Sequence, residues 1–279
     1  MTATTVLSCA GRPVAHYATA PVTERRCSPR PCLHPVRTPA GVTVTELMPA
    51  DHVHHLGAGV AVPDVAGHNF WGGRTFVRDQ GPTELDNHGE QRHDGFKLHD
   101  RDGFVEELSW VADGRRLLRE HRTVAVTALA DTAWALDLTF SLTNTTGEEV
   151  SIGSPATNGR PGAGYGGFFW RAPKEATQAR VFTADAEGEE AVHGRCADWL
   201  ALAGEEWTLV FAGATARTRE DPWFVRTAEY PGVGSSLAAG DRLPVAAGGT
   251  VVRRIVTVVA DGRLDRDGAA ALVRKAVTA

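Results

Sequence analysis

The stretch Trp134-Ala-Leu-Asp-Leu-Thr-Phe-Ser-Leu-Thr143 alternates apolar and polar residues over most of its length. Side chains of a β-strand point alternately to the two faces of a sheet. A strand here therefore presents one apolar face to a core and one polar face to solvent, as half-buried antiparallel strands do. Turn-forming residues follow at 144–147, and residues 149–154 are again strand-like. This order predicts an antiparallel hairpin.

Similar strand patterns recur through most of the chain and are separated by Asp-Gly, Pro-Gly and Gly-Gly turns. They predict further strands at residues 6–10, 14–18, 42–47, 58–62, 105–111, 117–128, 180–184, 199–203, 208–212, 223–229 and 250–259. Only residues 264–277 combine helical spacing of apolar residues with an acidic start and a basic end. We therefore expect an all-β fold, a large antiparallel β-sandwich with one short C-terminal helix.

Length, charge and cysteine content indicate the number of domains and disfavour several classes of protein. A chain of 279 residues without a Pro-, Gly- or Ser-rich linker predicts a single domain over residues 1–279. The net charge of −5 gives no basic surface for nucleic acid or an anionic membrane, and no apolar window is long enough to span a bilayer. The N-terminus lacks the pattern of a signal peptide, and the four cysteines form no C-x-x-C pair. These features predict a cytoplasmic protein that binds neither nucleic acid nor membranes.

Histidines are concentrated in one part of the chain, since eight of the eleven lie between His34 and His99. The densest segment is Asp51-His-Val-His-His-Leu-Gly57. On a strand, His52 and His54 would share one face and His55 would point to the other. Imidazole is the side chain best suited to proton transfer near neutral pH, and Asp51 would orient one ring and fix its tautomer. We therefore take His52, His54, His55 and Asp51 as the catalytic candidates.

The His-x-His spacing is also found among metal ligands. It is similar to the metal motif of the cupins, but that motif has a Glu shortly after the second His, where this chain has Gly57, Ala58 and Gly59. We therefore expect no metal ligands and no cofactor at this segment. A metal bound by the same histidines remains the alternative.

Two Gly-rich polar stretches, residues 67–102 and 159–167, are predicted to be long loops, which in a compact β-domain usually serve function. Trp and Arg occur in or beside both of them, and sugars stack on aromatic rings while their hydroxyls pair with polar side chains. These segments, with histidines from the same region, supply the candidate substrate-binding residues. They are His34, Trp71, Arg74, His88, His93, Tyr165, Trp170 and Arg171.

Three segments carry a family resemblance: Arg30-Pro-Cys-Leu-His-Pro-Val-Arg-Thr-Pro-Ala-Gly41, then Pro49-Ala-Asp-His-Val-His-His-Leu-Gly57, then Asn69-Phe-Trp-Gly72. They resemble a bacterial family of unassigned function that is often labelled methane oxygenase PmoA. Tyr165-Gly-Gly167, Asp198-Trp199 and Asp221-Pro-Trp-Phe-Val-Arg226 resemble it too. The chain departs from the family pattern at Cys32, where an aromatic residue is expected, and at Val53, where Pro is expected. The genuine particulate methane oxygenase subunit is an integral membrane protein, so methane oxidation of that kind does not follow.

The resemblance and the all-β pattern together imply a fold similar to the galactose-mutarotase-like super-sandwich. Sugar epimerases, glycosidases and polysaccharide lyases use that fold. By that likeness His54 or His55 would be the acid, while the base is not identified. The leading hypothesis is therefore a carbohydrate-active protein with acid/base chemistry of the epimerase, lyase or hydrolase type, acting on a small-molecule carbohydrate. The alternatives are a metal-dependent oxidoreductase or oxygenase that uses the same histidines, and a sugar-binding module without catalysis.

The missing Glu partner generates a prediction about metal content. We expect protein purified without added metal to contain well below one equivalent of iron, copper or zinc, because two histidines alone do not complete a tetrahedral site. Elemental analysis by inductively coupled plasma mass spectrometry checks this. About one equivalent of a transition metal would contradict it and favour the oxidoreductase alternative.

Overall fold

The computed structural model describes residues 4–278, and the strands within them are numbered here in chain order. The first ten are β1 Thr4–Cys9, β2 Arg12–Ala18, β3 Cys32–Val36, β4 Ala58–Ala61, β5 Asp64–Val65, β6 Thr75–Val77, β7 Gly81–Thr83, β8 Glu90–His99, β9 Gly103–Ala112 and β10 Arg115–Ala130. The others are β11 Ala133–Asn144, β12 Val150–Gly153, β13 Gly167–Arg171, β14 Arg180–Phe182, β15 Trp199–Ala203, β16 Trp207–Gly213, β17 Trp223–Arg226, β18 Gly232–Ser235, β19 Leu243–Val245 and β20 Thr250–Asp261. The helices are α1 Glu189–Val192, α2 Ala216–Arg219 and α3 Arg266–Thr278, and a 3-10 turn covers Arg25–Cys27.

Two large antiparallel sheets form the sandwich. One has seven strands in the order β1-β2-β3-β4-β13-β18-β17, and the other has eight in the order β14-β15-β16-β20-β11-β10-β9-β8. A three-stranded sheet, β19-β12-β5, and a two-stranded sheet, β6-β7, lie outside them. The predicted antiparallel sandwich with a C-terminal helix is confirmed, and the helix begins two residues later than the periodicity indicated. The narrower likeness to the galactose-mutarotase super-sandwich stays a prediction.

The alternation that predicted β11 also builds the core. Leu136, Leu138 and Phe140 are buried in one cluster with Phe168 and Trp170 of the opposite sheet. On the outer face of the eight-stranded sheet, the region formed by β15, β16 and β20 is apolar. Helix α3 covers this region through Ala269, Val273 and Ala276. The sequence of α3 thus needs only one narrow stripe of small apolar residues, because it packs on a sheet along one side.

Three local predictions were wrong. The predicted hairpin between β11 and residues 149–154 does not form: β11 pairs with β10 and β20, whereas β12 pairs with β19 and β5. Residues 42–47 form only isolated bridges, from Arg37 to Thr43 and from Leu47 to Leu56. The stretch 67–102 is not one loop, since it contains β6, β7 and the long edge strand β8. Many charged residues on β8 concealed its strand character, because an edge strand exposes much of its length.

A network of charged side chains lies between the two large sheets. Glu106, Glu120 and Arg122 are each 0% exposed. Arg122 donates to both carboxylate oxygens of Glu120, to the Tyr17 hydroxyl at 3.0 Å and to Gln91 at 3.1 Å. Tyr17 in turn donates to Glu106. Since buried charges are tolerated only when paired and fully hydrogen-bonded, this network ties β2 to β8, β9 and β10.

Arg122→Met tests this network. We expect the substitution to lower the free energy of unfolding by about 3–5 kcal/mol, because it leaves Glu120 buried without its counter-ion. Urea unfolding followed by far-UV circular dichroism measures the change. Arg119→Met, on the exposed face of the same strand, is the matched control and should change stability by no more than about 0.5 kcal/mol. Equal effects of the two substitutions would show that the network contributes nothing beyond ordinary surface packing.

Candidate functional site

The segment Asp51 to Gly57 forms turns, not a strand. The His52 N–H donates to the Pro49 carbonyl, the His55 N–H donates to the His52 carbonyl, and the Met48 N–H donates to the His55 carbonyl. The turn brings all three imidazoles together, so the expected placement of His55 on the opposite face was wrong. The rings of His52 and His55 stack with centroids 4.6 Å apart, and the His54 ring meets them edge-on at 5.7 and 4.9 Å.

Arg171 fixes this histidine turn to the seven-stranded sheet. Its guanidinium points from the outer face of β13, is 1% exposed, and lies over the Tyr230 ring at 4.5 Å. It donates to Glu46 at 3.1 Å and to both oxygens of Asp51 at 3.2 Å. The Nδ1 atom of His55 lies 3.3 Å from the same guanidinium. One buried cation therefore holds two carboxylates and one imidazole at fixed positions.

Burial keeps two of the imidazoles neutral. Desolvation, reinforced by the positive charge of Arg30, lowers the pKa of His54 to about 3. Desolvation and the neighbouring imidazoles hold the pKa of His55 well below its ordinary value. Asp51 behaves oppositely: partial burial works against ionisation, but hydrogen bonding by His52 and the charge of Arg171 lower the pKa of this carboxyl. At neutral pH the turn thus carries an ionised Asp51 beside neutral His54 and His55.

His52 and Asp51 are the solvent-facing part of the turn. Their side chains are 32% and 41% exposed, and the His52 Nδ1 atom lies 3.2 Å from the Asp51 carboxylate. His52 also packs on the Tyr230 ring, with centroids 4.7 Å apart. A carboxylate next to an imidazole is an arrangement that can transfer a proton to or from a bound molecule.

Gly72 and Gly73 leave room for the imidazole ring of His54. A Cβ at Gly73, whose φ is +68°, would lie 2.9 Å from the His54 ring atoms Cε1 and Nδ1. A Cβ at Gly72, whose φ is +100°, would lie 2.6 Å from the Cys27 carbonyl oxygen and 2.8 Å from the His54 Cβ. Both positive φ values favour glycine. The Gly72-Gly73 pair therefore allows the 67–76 segment to close over His54.

Arg30 joins the surrounding segments through carbonyl groups, and no acidic side chain among residues 4–278 pairs with it. It is 5% exposed, and it donates to the carbonyls of Cys27, Ser28 and Trp71 and, at 2.8 Å, to that of His54. Burial lowers the pKa of this guanidinium to about 10, which leaves it charged at neutral pH. Its four carbonyl contacts position the histidine turn relative to Trp71.

An aromatic layer covers the sheet beside the histidines. Trp71, Phe169, Phe224 and Tyr230 form a separate buried cluster on the outer face of the seven-stranded sheet, with Tyr165 packed against it. The Trp71 ring lies 5.8 Å from His55 and 4.6 Å from Tyr165. Beyond Trp71, a small cleft separates the segments 63–76 and 154–165. Its polar lining includes Asp64, Asn69, Arg74, Ser154 and Asn158.

The structure gathers some of the predicted binding residues and separates others. Trp71, Tyr165 and Arg171 join the histidine turn or its aromatic layer, and Arg74 lines the small cleft while pairing with Glu84 at 3.0 Å. His88 contacts the segment beside the turn: its Nε2 donates to the Gly73 carbonyl at 2.8 Å.

Three other candidates contact different partners. His34 bonds to the Thr45 hydroxyl at 3.0 Å. His93 pairs with Glu106 of the inter-sheet network. Trp170 is 0% exposed in the core and donates to the Val44 carbonyl at 2.7 Å, so it lies on the opposite face of β13 from Arg171.

Sequence reasoning did not name Arg30, Glu46 or Tyr230 as site residues, because Arg30 stood out only as part of a resemblance segment, Glu46 carries no motif, and Tyr230 lies far along the chain from the histidines. The Gly72-Gly73 pair directly after Trp71 is a sequence signal for a close approach of this backbone to another segment, which the structure shows to include His54. Within residues 4–278, no group of three or more His, Cys, Asp or Glu side chains is arranged to hold a metal ion. In the same residues no helix has the length and apolar character to cross a membrane.

The comparisons with known proteins identify a family. Residues 4–274 match a family of unknown function, DUF6807, and the chain belongs to this family. The match assigns no activity, so the methane-oxygenase label suggested by the sequence resemblance is not confirmed. No curated protein matches the chain.

Solved structures with some likeness to this chain include a heparan sulfate lyase and a heparinase III. A mutant of the heparan sulfate lyase HepC from Pedobacter heparinus is 8% identical, with a TM-score of 0.32, over 66% of this chain and 23% of the lyase. Heparinase III with methylated lysines is 10% identical, with a TM-score of 0.27, over 66% of this chain and 23% of its own. The chain spans less than a quarter of either protein. At these scores the likeness carries no functional argument.

Gly73→Ala tests the cradle around His54. We expect it to cost about 1–2 kcal/mol more unfolding free energy than Gly114→Ala, because only the first adds a clash to the strain of a positive φ. Gly114 has a φ of +71° but no heavy atom within 4 Å of an added Cβ, which makes it the matched control. Chemical denaturation measures both losses, and imidazole NMR signals report displacement of His54. Equal losses with unshifted His54 signals would contradict the cradle.

Proposed function

We propose that this protein is a carbohydrate-active enzyme that performs acid/base chemistry at the Asp51–His52 pair. The observation that carries the proposal is the 3.2 Å contact between the Asp51 carboxylate and His52 Nδ1, whose side chains are both partly exposed and which the buried Arg171 anchors from below. Of the three histidines, His52 alone combines this contact with substantial exposure of its side chain. A reacting group has to be reached by substrate, so His52 and Asp51 are the residues we assign to proton transfer.

The other two histidines have different roles in this proposal. His55 is 1% exposed and bonded toward Arg171, so it acts as a positioning residue under the His52 ring. His54 is half-buried and neutral, and a neutral imidazole offers one hydrogen-bond donor and one acceptor to a hydroxyl. The acid role suggested by the family resemblance suits His54 and His55 poorly, because an acid has to carry its proton near neutral pH.

The surroundings of the pair favour a polyhydroxylated ligand. On the far side of Trp71 from the histidines, the side chains of Asp64, Asn158 and Arg74 line the small cleft beside the rings of Trp71 and Tyr165. Such a combination of aromatic faces with carboxylate, amide and guanidinium groups suits the apolar faces and hydroxyls of a sugar. The free volume of the cleft is about 10 Å³, so a sugar ring would bind across its rim and not inside it.

A saccharide panel tests this function. Free and methyl-glycosidic forms of neutral, amino and uronic sugars are screened for binding by saturation-transfer-difference NMR and for conversion by proton NMR. We expect at least one to be converted, and we expect Asp51→Asn and His52→Ala each to lower turnover by about 100-fold or more, which is typical when an acid/base group is lost.

His121→Ala is the matched control, because His121 is 49% exposed and pairs with Glu107 on the other large sheet. It should leave turnover unchanged. Binding that depends on Asp51 and His52 without any conversion would replace the enzyme by a sugar-binding module. A panel in which no saccharide shows binding or conversion dependent on these two residues would overturn the proposal.

A further inference from the structure

The proton positions on His193 are fixed by its neighbours. This residue follows α1, and its Nδ1 atom accepts a hydrogen bond from the backbone N–H of Val225 at 3.1 Å. The Nη1 group of Arg226 lies 3.3 Å from the same Nδ1 atom and 3.5 Å from Nε2, so the guanidinium faces the ring itself. Because the Val225 N–H donates to Nδ1, this atom presents its lone pair. The single ring proton is on Nε2, which donates to the Gly162 carbonyl at 2.9 Å.

The Gly162 carbonyl belongs to the segment that forms one wall of the proposed site. Arg226 donates to the same carbonyl through Nη2 at 3.0 Å. Three residues further along the chain, Tyr165 packs on Trp71 at 4.6 Å and on Phe224 at 5.3 Å. We call residues 154–166 the Tyr165 loop. Gly159 and Gly166, with φ of +102° and +137°, give this loop backbone conformations that other residues rarely adopt.

A second proton on His193 would oppose this arrangement. A proton on Nδ1 would face the Val225 N–H and the Arg226 guanidinium, so one hydrogen bond would be lost and two cations would lie in contact. The ring would have to move away from both to relieve this contact, and that movement would also break its Nε2 bond to the Gly162 carbonyl. The charged groups around the ring are Arg226 and Glu189, which itself lies 3.7 Å from Arg226. Phe224 meets the ring edge-on at 5.3 Å. Burial and the charge of Arg226 lower the pKa of His193 below its ordinary value of 6.5, in agreement with this geometry.

We infer that His193, in its neutral form, is a positioning residue that holds the Tyr165 loop closed against Trp71, and that protonation of His193 releases the loop. The inference rests on the proposed function only in that the loop is a wall of the same site. Because folding lowers the pKa of His193, the folded protein favours the neutral imidazole. A lowered folded-state pKa gives an anchor that is complete at and above neutral pH and is lost as the pH falls below about 6.5 through the folded-state value.

Hydrogen–deuterium exchange of the Tyr165 loop tests the inference without reference to any substrate. Exchange is measured by mass spectrometry between pH 7.5 and 4.5, corrected for the intrinsic pH dependence of exchange, in the wild type, His193→Gln and His193→Leu. Loop amides such as those of Gly159, Arg160 and Ala163 bond to carbonyls within the loop and report its closure. Peptides from β11 report global unfolding in the same samples.

We expect loop exchange in the wild type to rise about tenfold across the acid range while β11 stays protected, as loss of one or two hydrogen bonds implies. His193→Gln retains a donor for the Gly162 carbonyl but has no titratable group, so it should stay protected at every pH. His193→Leu should exchange rapidly at every pH. The inference is overturned if His193→Leu leaves loop exchange unchanged, or if His193→Gln keeps the pH dependence of the wild type. Neither result would bear on the Asp51–His52 pair, which the saccharide panel tests separately.

Discussion

The guanidinium of Arg171 is the interaction on which the site depends, because it joins the seven-stranded sheet to the histidine turn from beneath. It stands on β13 next to Trp170, whose ring enters the inter-sheet core on the opposite face. The pleat of a single strand therefore links the packing of the sandwich to the positions of Glu46, Asp51 and His55. Removing the acidic partners of this buried cation would leave its charge poorly compensated, so the sheet and the turn stabilise each other.

The polar groups around the turn are arranged in two tiers. The lower tier consists of Arg30, Arg171 and His55, which are almost fully buried and bonded to carbonyls, carboxylates or each other. The upper tier, Asp51 and His52, faces solvent. Because the lower tier is desolvated and cross-linked by hydrogen bonds, the upper tier is held in a defined geometry with little freedom to reorganise, which is the condition under which fixed charges act most strongly on a reacting group.

Much of the sandwich was predictable, since the alternation along β10 and along Leu136–Leu142 of β11 reflects one buried and one more exposed face. The pairing of β12 was not, because strand partners depend on contacts distant in sequence and turn residues alone do not decide them. Likewise the composition of residues 51–57 indicated a functional cluster, but its turn geometry depends on Arg30 and Arg171, one before it and one far beyond it. Edge strand β8 was missed because its charged residues interrupt any apolar period.

The contact between Gly73 and His54 has a consequence for how this surface can diverge over generations. The glycine has no room for a side chain while the imidazole is present, and the imidazole has its place only while the glycine is retained. Position 73 is therefore not free to change while His54 is present. A smaller residue at 54 has to come first to remove the clash, and the φ of +68° still disfavours other residues at 73, so the order of historical replacements is constrained in one direction. Divergent relatives that lost this histidine would be the ones able to explore other backbones in the adjoining segment.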